Sequence, residues 1–152
     1  MRRILMLVTL AIATEAGALS CLPANLVETL ASRPSLVVGI GQLTPLSPLP
    51  TPTAEAPPLD VEMAFEGRLL GAPAPETVLV RAICFGPWCG AYPPSDKVGL
   101  MLLDATEAGL RLTIGPCGGT HDDTPTPAKI AALERCAAGI CGAEERAAFA
   151  AP

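Results

Sequence analysis

The feature that most constrains this chain is its set of six cysteines, the first of them directly behind an export signal. Met1-Arg2-Arg3 is a short basic leader, Ile4 to Ala13 is apolar apart from Thr9, and Ala16 to Ser20 is small and mostly uncharged. This is the three-part layout of a secretory signal, and the apolar run falls short of the roughly 20 residues a bilayer span needs. Cleavage after Ala18 satisfies the small-x-small rule, and so does cleavage after Ser20, which would leave Cys21 as the first residue. Lipid attachment to Cys21 is a third route. It is disfavoured because Ala18 stands where such sites usually carry Leu. Residues 1–20 are therefore assigned as signal peptide, 21–142 as a single domain and 143–152 as a tail, with a secreted or periplasmic location.

In an oxidising compartment six cysteines are most simply three disulfides. Sequence leaves the choice among fifteen connectivities open. Spacing favours two local pairs, Cys84 with Cys89 and Cys136 with Cys141, which leaves Cys21 with Cys117. In the loop-entropy model the long closure restricts the unfolded chain by about 4 to 5 kcal/mol and each short one by about 2.

The formal charge of -5 with only 10 basic residues argues against nucleic acids and anionic membrane surfaces, which need a concentrated positive patch. An aromatic content of 3% also supplies few stacking platforms. The expected partner is a protein and the expected state a monomer.

Periodicity predicts a mainly β domain. Asn25 to Ser32 places Leu26, Val27 and Leu30 at helical spacing, and Pro34 closes the helix. Leu36 to Leu43 reads as a strand, with Gly39 and Gly41 marking a bulge or a bend where another backbone comes close. Thr44 to Pro58 carries six prolines and is expected as an extended, exposed inter-strand loop. Val61, Met63 and Phe65 alternate with polar or small residues in a second strand, and Val78 to Ile83 forms a third. The apolar run Val98 to Leu103 suits a central strand, paired in a hairpin with Leu110, Leu112 and Ile114. A helix then follows Pro127, with Thr126 as N-cap and Gly139 as its stop. The Ala-rich residues 143–152 read as a frayed helix or as disordered chain. Five strands with a short helix before and a helix after fit a small OB-like barrel.

The order of these features resembles the netrin-like module of the tissue inhibitors of metalloproteinases and its small bacterial relatives. The resemblance rests on Cys21 with Pro23, the helix leading into Val37-Val38-Gly39, the strand running into Gly67-Arg68-Leu69-Leu70-Gly71, Cys89-Gly90, and Gly115-Pro116-Cys117. It implies a non-enzymatic binding domain in which the free amino group and carbonyl of Cys21 chelate a metalloproteinase zinc while Leu22 enters the specificity pocket. An α-amino group with a pKa near 8 can supply that lone pair at neutral pH. The inhibitors usually begin Cys-x-Cys, whereas here the third residue is Pro23.

Other motifs are weaker. Cys84-Phe85-Gly86-Pro87-Trp88-Cys89 shares Trp-Cys-Gly with thiol-disulfide enzymes, but those need Cys-x-x-Cys at a helix N-terminus. A disulfide-closed loop with Trp88 packed on it is the simpler reading; the functional alternative stands Trp88 and Tyr92 exposed at the loop tip as candidate partner contacts. His121-Asp122-Asp123 is the one run with metal-ligand chemistry, and adjacent residues rarely converge on one ion, so a solvated loop is expected. Glu62 and Glu66 read as an exposed outer strand face. No catalytic residue, metal site or cofactor is assigned. The alternatives are an envelope module anchored by lipid at Cys21, or a redox protein using Cys84 and Cys89.

Overall fold

The computed structural model describes residues 25–150. The barrel strands are β1 (Val37–Pro45), β2 (Asp60–Leu69), β3 (Thr77–Ala82), β6 (Gly99–Thr106) and β7 (Gly109–Ile114). Two short strands, β4 (Cys84–Phe85) and β5 (Trp88–Cys89), lie in the connection between β3 and β6, and β8 (His121–Asp122) follows β7. The sheet runs β1-β2-β3-β7-β6 and closes through a β1–β6 pairing. All neighbours are antiparallel except β3 and β7, which are parallel. This is the closed five-stranded OB-like barrel the strand count predicted, and closure removes the sheet edges.

β6 shows why its sequence is a continuous apolar run. Met101 and Leu103 face a core of Leu43, Met63, Phe65, Val78, Val80 and Leu112 inside the barrel. Leu100 and Leu102 belong to a second core, shared with Leu26, Val27, Leu30, Ala132, Leu133 and Phe149 of the helical layer. A strand buried on both faces loses the polar alternation of a half-exposed one. β2 keeps that alternation, with Val61, Met63 and Phe65 buried and Glu62 and Glu66 exposed.

The close backbone approach expected at the β1 glycines is to β2, with which β1 pairs in unbroken register and without a bulge. Gly41 is paired with Gly67. A Cβ on Gly41 would stand 2.5 Å from the Glu66 carbonyl oxygen and 2.7 Å from the Phe65 ring, and one on Gly67 would strike the Ile40 carbonyl. Backbone obstacles cannot rotate aside, so Gly67→Ala is expected to destabilise the domain by about 1 to 3 kcal/mol. Denaturant unfolding measures this directly, and an unchanged midpoint would contradict the close approach of Gly67 to β1.

Helix α1 (Leu26–Ser32) is capped by Asn25, whose side chain accepts from the Glu28 amide at 3.3 Å. Helix α2 (Pro127–Ala137) begins with proline, whose missing N–H costs nothing at that position. It is capped by Thr126, which accepts from the Lys129 amide. It ends as Gly139 predicted. Gly139 takes a φ of 93°, its amide donates to the Cys136 carbonyl, and the Ile140 amide donates to the Arg135 carbonyl, both at 2.9 Å. The Cys136–Cys141 disulfide staples this turn.

The chain continues past the expected domain end. Helix α3 (Ala143–Ala147) is a single turn, and Phe149, 5% exposed, packs into the helical core. Glu145 is buried, accepts from the Gly142 amide and pairs with Arg135 at 2.8 Å. That hydrogen bond from Arg135 holds its carboxyl below the ordinary range. Among the described residues no helix is long and apolar enough to cross a membrane.

Candidate functional site

Cys84 and Cys89 are directly opposed on β4 and β5 and joined by a disulfide, with Phe85 opposite Trp88 beyond it. Gly86, at a φ of 57°, and Pro87 make the turn. The hairpin is held rigidly to the barrel, because the Ile83 amide donates to the Ile114 carbonyl and the Gly90 amide to the Ile83 carbonyl, both at 2.9 Å. Phe85 and Trp88 are 61% and 45% exposed. The ring of Trp88 is thus presented to solvent beside Phe85, where the expectation of a loop with Trp88 packed onto it is not met. Both cysteines lie on strands, which withholds the helix-dipole activation that redox dithiols use.

Tyr92 does not share the hairpin tip. It is half-buried against the barrel core, and burial pushes its hydroxyl pKa up. With Ala82, Ile83 and Cys84 it walls a cleft of 200 Å³ whose other side is the proline-rich loop, from Pro50 to Leu59. The two aromatic candidates therefore bracket one region: Trp88 on the projecting hairpin, Tyr92 beside the cleft at its base. Proximity in sequence signalled the pairing, but nothing in the irregular stretch Ala91-Tyr92-Pro93-Pro94 signals the burial of Tyr92.

His121, Asp122 and Asp123 form no solvated loop. β8 pairs with β6, matching His121 with Met101 and Asp122 with Leu100, and His121 lies against Gly99, where a Cβ would be 2.6 Å from Nε2. Asp122 binds Lys129 at 2.7 Å with both side chains nearly buried, and accepts from the Thr124 amide and hydroxyl. Lys129 also sits 5.6 Å from the centre of the Phe149 ring, and Asp123 faces Lys97 at 3.6 Å. These contacts make the run a buckle between β6, α2 and the C-terminal turn. Among the described residues no group of three His, Cys, Asp or Glu side chains is placed to hold a metal ion.

The buckle makes stability depend on pH. Burial lowers the His121 pKa below its ordinary 6.5, against the opposing pull of Asp123 and Asp122. Burial would raise Asp122, but hydrogen bonds from Lys129 and Thr124 hold it below 3.8. A histidine with a depressed folded pKa stabilises the fold above about pH 6.5 and loses that contribution as pH falls toward the folded value. Asp122 loses its contribution lower still, below about pH 4. Stability is expected to fall in two stages on acidification, with the first stage absent in His121→Gln. A wild-type curve flat between pH 7 and 5 would contradict the burial of His121.

A further cluster escaped sequence reasoning. Asp60 takes a bidentate pair from Arg81, at 2.9 and 2.7 Å, and an ion pair from Arg111 at 3.0 Å on the outer face of β2, β3 and β7. Burial alone would raise the Asp60 pKa, and the two guanidinium groups bring it below the ordinary value. The signal was the outward register of Asp60 opposite Arg81, invisible until the strands were paired.

Cys21 and Leu22, assigned to zinc chelation and the specificity pocket, lie outside the described residues. Cys117 is disulfide-bonded, and the other described cysteines pair as spacing predicted, Cys84 with Cys89 and Cys136 with Cys141. Cys117 lies in the turn after β7, where the Thr29 hydroxyl of α1 donates to the Gly119 carbonyl at 3.1 Å. No protein-family model, no curated protein and no solved structure matches the chain.

Proposed function

We infer that this is an exported, non-enzymatic binding domain of the netrin-like type that acts on a protein partner through its mature N-terminus. The observation that carries the reading is the disulfide at Cys117, two residues before the Gly119 carbonyl that accepts from Thr29 of the first helix. Asn25 is four residues from Cys21, a reach of at most about 14 Å of extended chain, and Thr29 of the helix that Asn25 caps donates to the Gly119 carbonyl, two residues beyond Cys117. A Cys21–Cys117 bridge is compatible with that spacing and would fix the position of the amino group of Cys21. A rigid donor loses little freedom on binding, which is where affinity is commonly lost.

In its sharpest form the domain inhibits a zinc metalloproteinase. The Cys21 amino nitrogen and carbonyl oxygen take the open zinc position that a catalytic site keeps for water, and Leu22 fills the neighbouring pocket. The partner is a protein because the chain offers an exposed aromatic pair, Phe85 and Trp88, on a cross-linked hairpin, and aromatic anchors of this kind dominate protein interfaces.

The test is inhibition of a panel of zinc metalloproteinases by the processed protein. Leu22→Gly, or one added Ala before Cys21, is expected to reduce inhibition at least a hundredfold while leaving the unfolding temperature unchanged. Equal inhibition by both variants would rule out the zinc-directed mechanism.

A further inference from the structure

The segment between β1 and β2, from Leu46 to Leu59, is unusual for an exposed loop. It contains Pro48, Pro50, Pro52, Pro57 and Pro58 and a single ionisable side chain, Glu55. Leu46 and Leu59 are each 58% exposed. An apolar loop of this length with a single charge invites association and proteolysis, yet it carries three hydroxyls, on Ser47, Thr51 and Thr53. All three residues are exposed. Ser47 and Thr51 make no side-chain hydrogen bond among the described residues. Thr53 Oγ1 only accepts, from the Ala56 amide at 3.3 Å, so its own proton is uncommitted.

The chain contains an internal comparison. Thr124-Pro125-Thr126-Pro127 has the same local composition, but there the hydroxyls do structural work: Thr124 donates to Asp122 at 2.7 Å and Thr126 caps α2. Three exposed hydroxyls that donate no hydrogen bond among the described residues are thus gathered on one extended proline-rich loop, whereas Ser35 and Ser95, which also follow prolines, lie in turns. Proline also keeps that backbone extended at little entropic cost, so a modifying enzyme can engage it without unfolding the barrel.

We propose that Ser47, Thr51 and Thr53 are O-glycosylation sites that take neutral sugars. The proposal rests on the export reading above. Ser/Thr- and Pro-rich stretches of exported chains are the compositional class that receives O-linked sugars. N-linkage is excluded by sequence, since the one asparagine sits in Asn25-Leu26-Val27. The donor is a phosphate-activated sugar. The hydroxyl oxygen forms a bond to the anomeric carbon as the carbon–oxygen bond to phosphate breaks; the phosphate departs with that electron pair, and the hydroxyl proton passes to the base of the transferase. The attached sugars cover Leu46, Leu49 and Leu59 and, at Thr51 and Thr53, the rim of the cleft that these two residues line.

The test is intact and fragment mass spectrometry of the protein isolated from the organism that makes it. The expected result is a ladder of sugar-sized mass increments mapped to Ser47, Thr51 and Thr53, with Thr124 and Thr126 bare. The triple variant Ser47→Ala, Thr51→Val, Thr53→Val should lose the ladder, keep its unfolding temperature and be cut several-fold faster by a protease within the loop. A bare loop on a chain whose signal has been removed overturns the proposal while leaving export intact. A bare loop on a chain that still begins at Met1 overturns both. Phosphate-sized increments, or sugars on Thr124 or Thr126, also overturn it.

Discussion

Replacing Cys117 by Ser is expected to destabilise the domain by about 4 to 5 kcal/mol, the largest effect of any single substitution here. The reason is the length of chain that its bridge closes. If the partner is Cys21, nearly a hundred residues, including every barrel strand, lie inside the loop. The two other disulfides each span a sequence separation of only 5 and restrict the unfolded chain by about 2 kcal/mol apiece. Since a domain of this size has about 5 to 15 kcal/mol of stability in total, the loss would bring it near the edge of folding. Thermal unfolding of Cys117→Ser against Cys84→Ser/Cys89→Ser should show the larger drop for the former. The reverse order would mean that Cys117 closes a short loop.

The second large effect is expected at Leu102→Ala, at about 2 to 5 kcal/mol. Leu102 is fully buried and belongs to the core shared by the barrel wall and the helices α1 and α2. Its neighbours come from three separate elements, so collapse around the missing atoms is limited and most of the cavity would persist. Glu66→Ala, on the exposed face of β2, serves as the control and should change stability by less than about 0.5 kcal/mol. Equal unfolding midpoints for the two variants would show that the helical layer is not joined to β6.

The strands and helices that were legible in the sequence are those long enough for a period to show. β2 alternates, and α2 has a cap, a starting proline and a stopping glycine. β6 reads correctly as central because it is buried on both faces. The pieces that were hidden have other causes. β4, β5 and β8 are two residues each, too short for any periodicity. Phe149 is one large residue in an alanine-rich stretch, and only its packing into the helical core beside Lys129 makes it a core residue. His121, Asp122 and Asp123 look like a polar loop because the lysines that pair with the two carboxylates, Lys129 with Asp122 and Lys97 with Asp123, come from α2 and from the segment before β6. The Asp60, Arg81 and Arg111 cluster joins residues 21 and 51 positions apart, which no local pattern can reveal. At the candidate site the Cys84–Cys89 closure was legible as a local disulfide, whereas Trp88 was expected to pack on the loop and is 45% exposed. Tyr92 was placed at the same tip, although its ring is half-buried.

The central claim is that the mature chain begins at Cys21 and is bridged there to Cys117, fixing an unblocked amino group beside a closed barrel. Peptide mass spectrometry of the exported protein without reduction tests it most directly. The expected result is a free N-terminal Cys21 cross-linked to Cys117, alongside closed Cys84–Cys89 and Cys136–Cys141 pairs. A lipid on Cys21, or a Cys117 joined to any other partner, would contradict it.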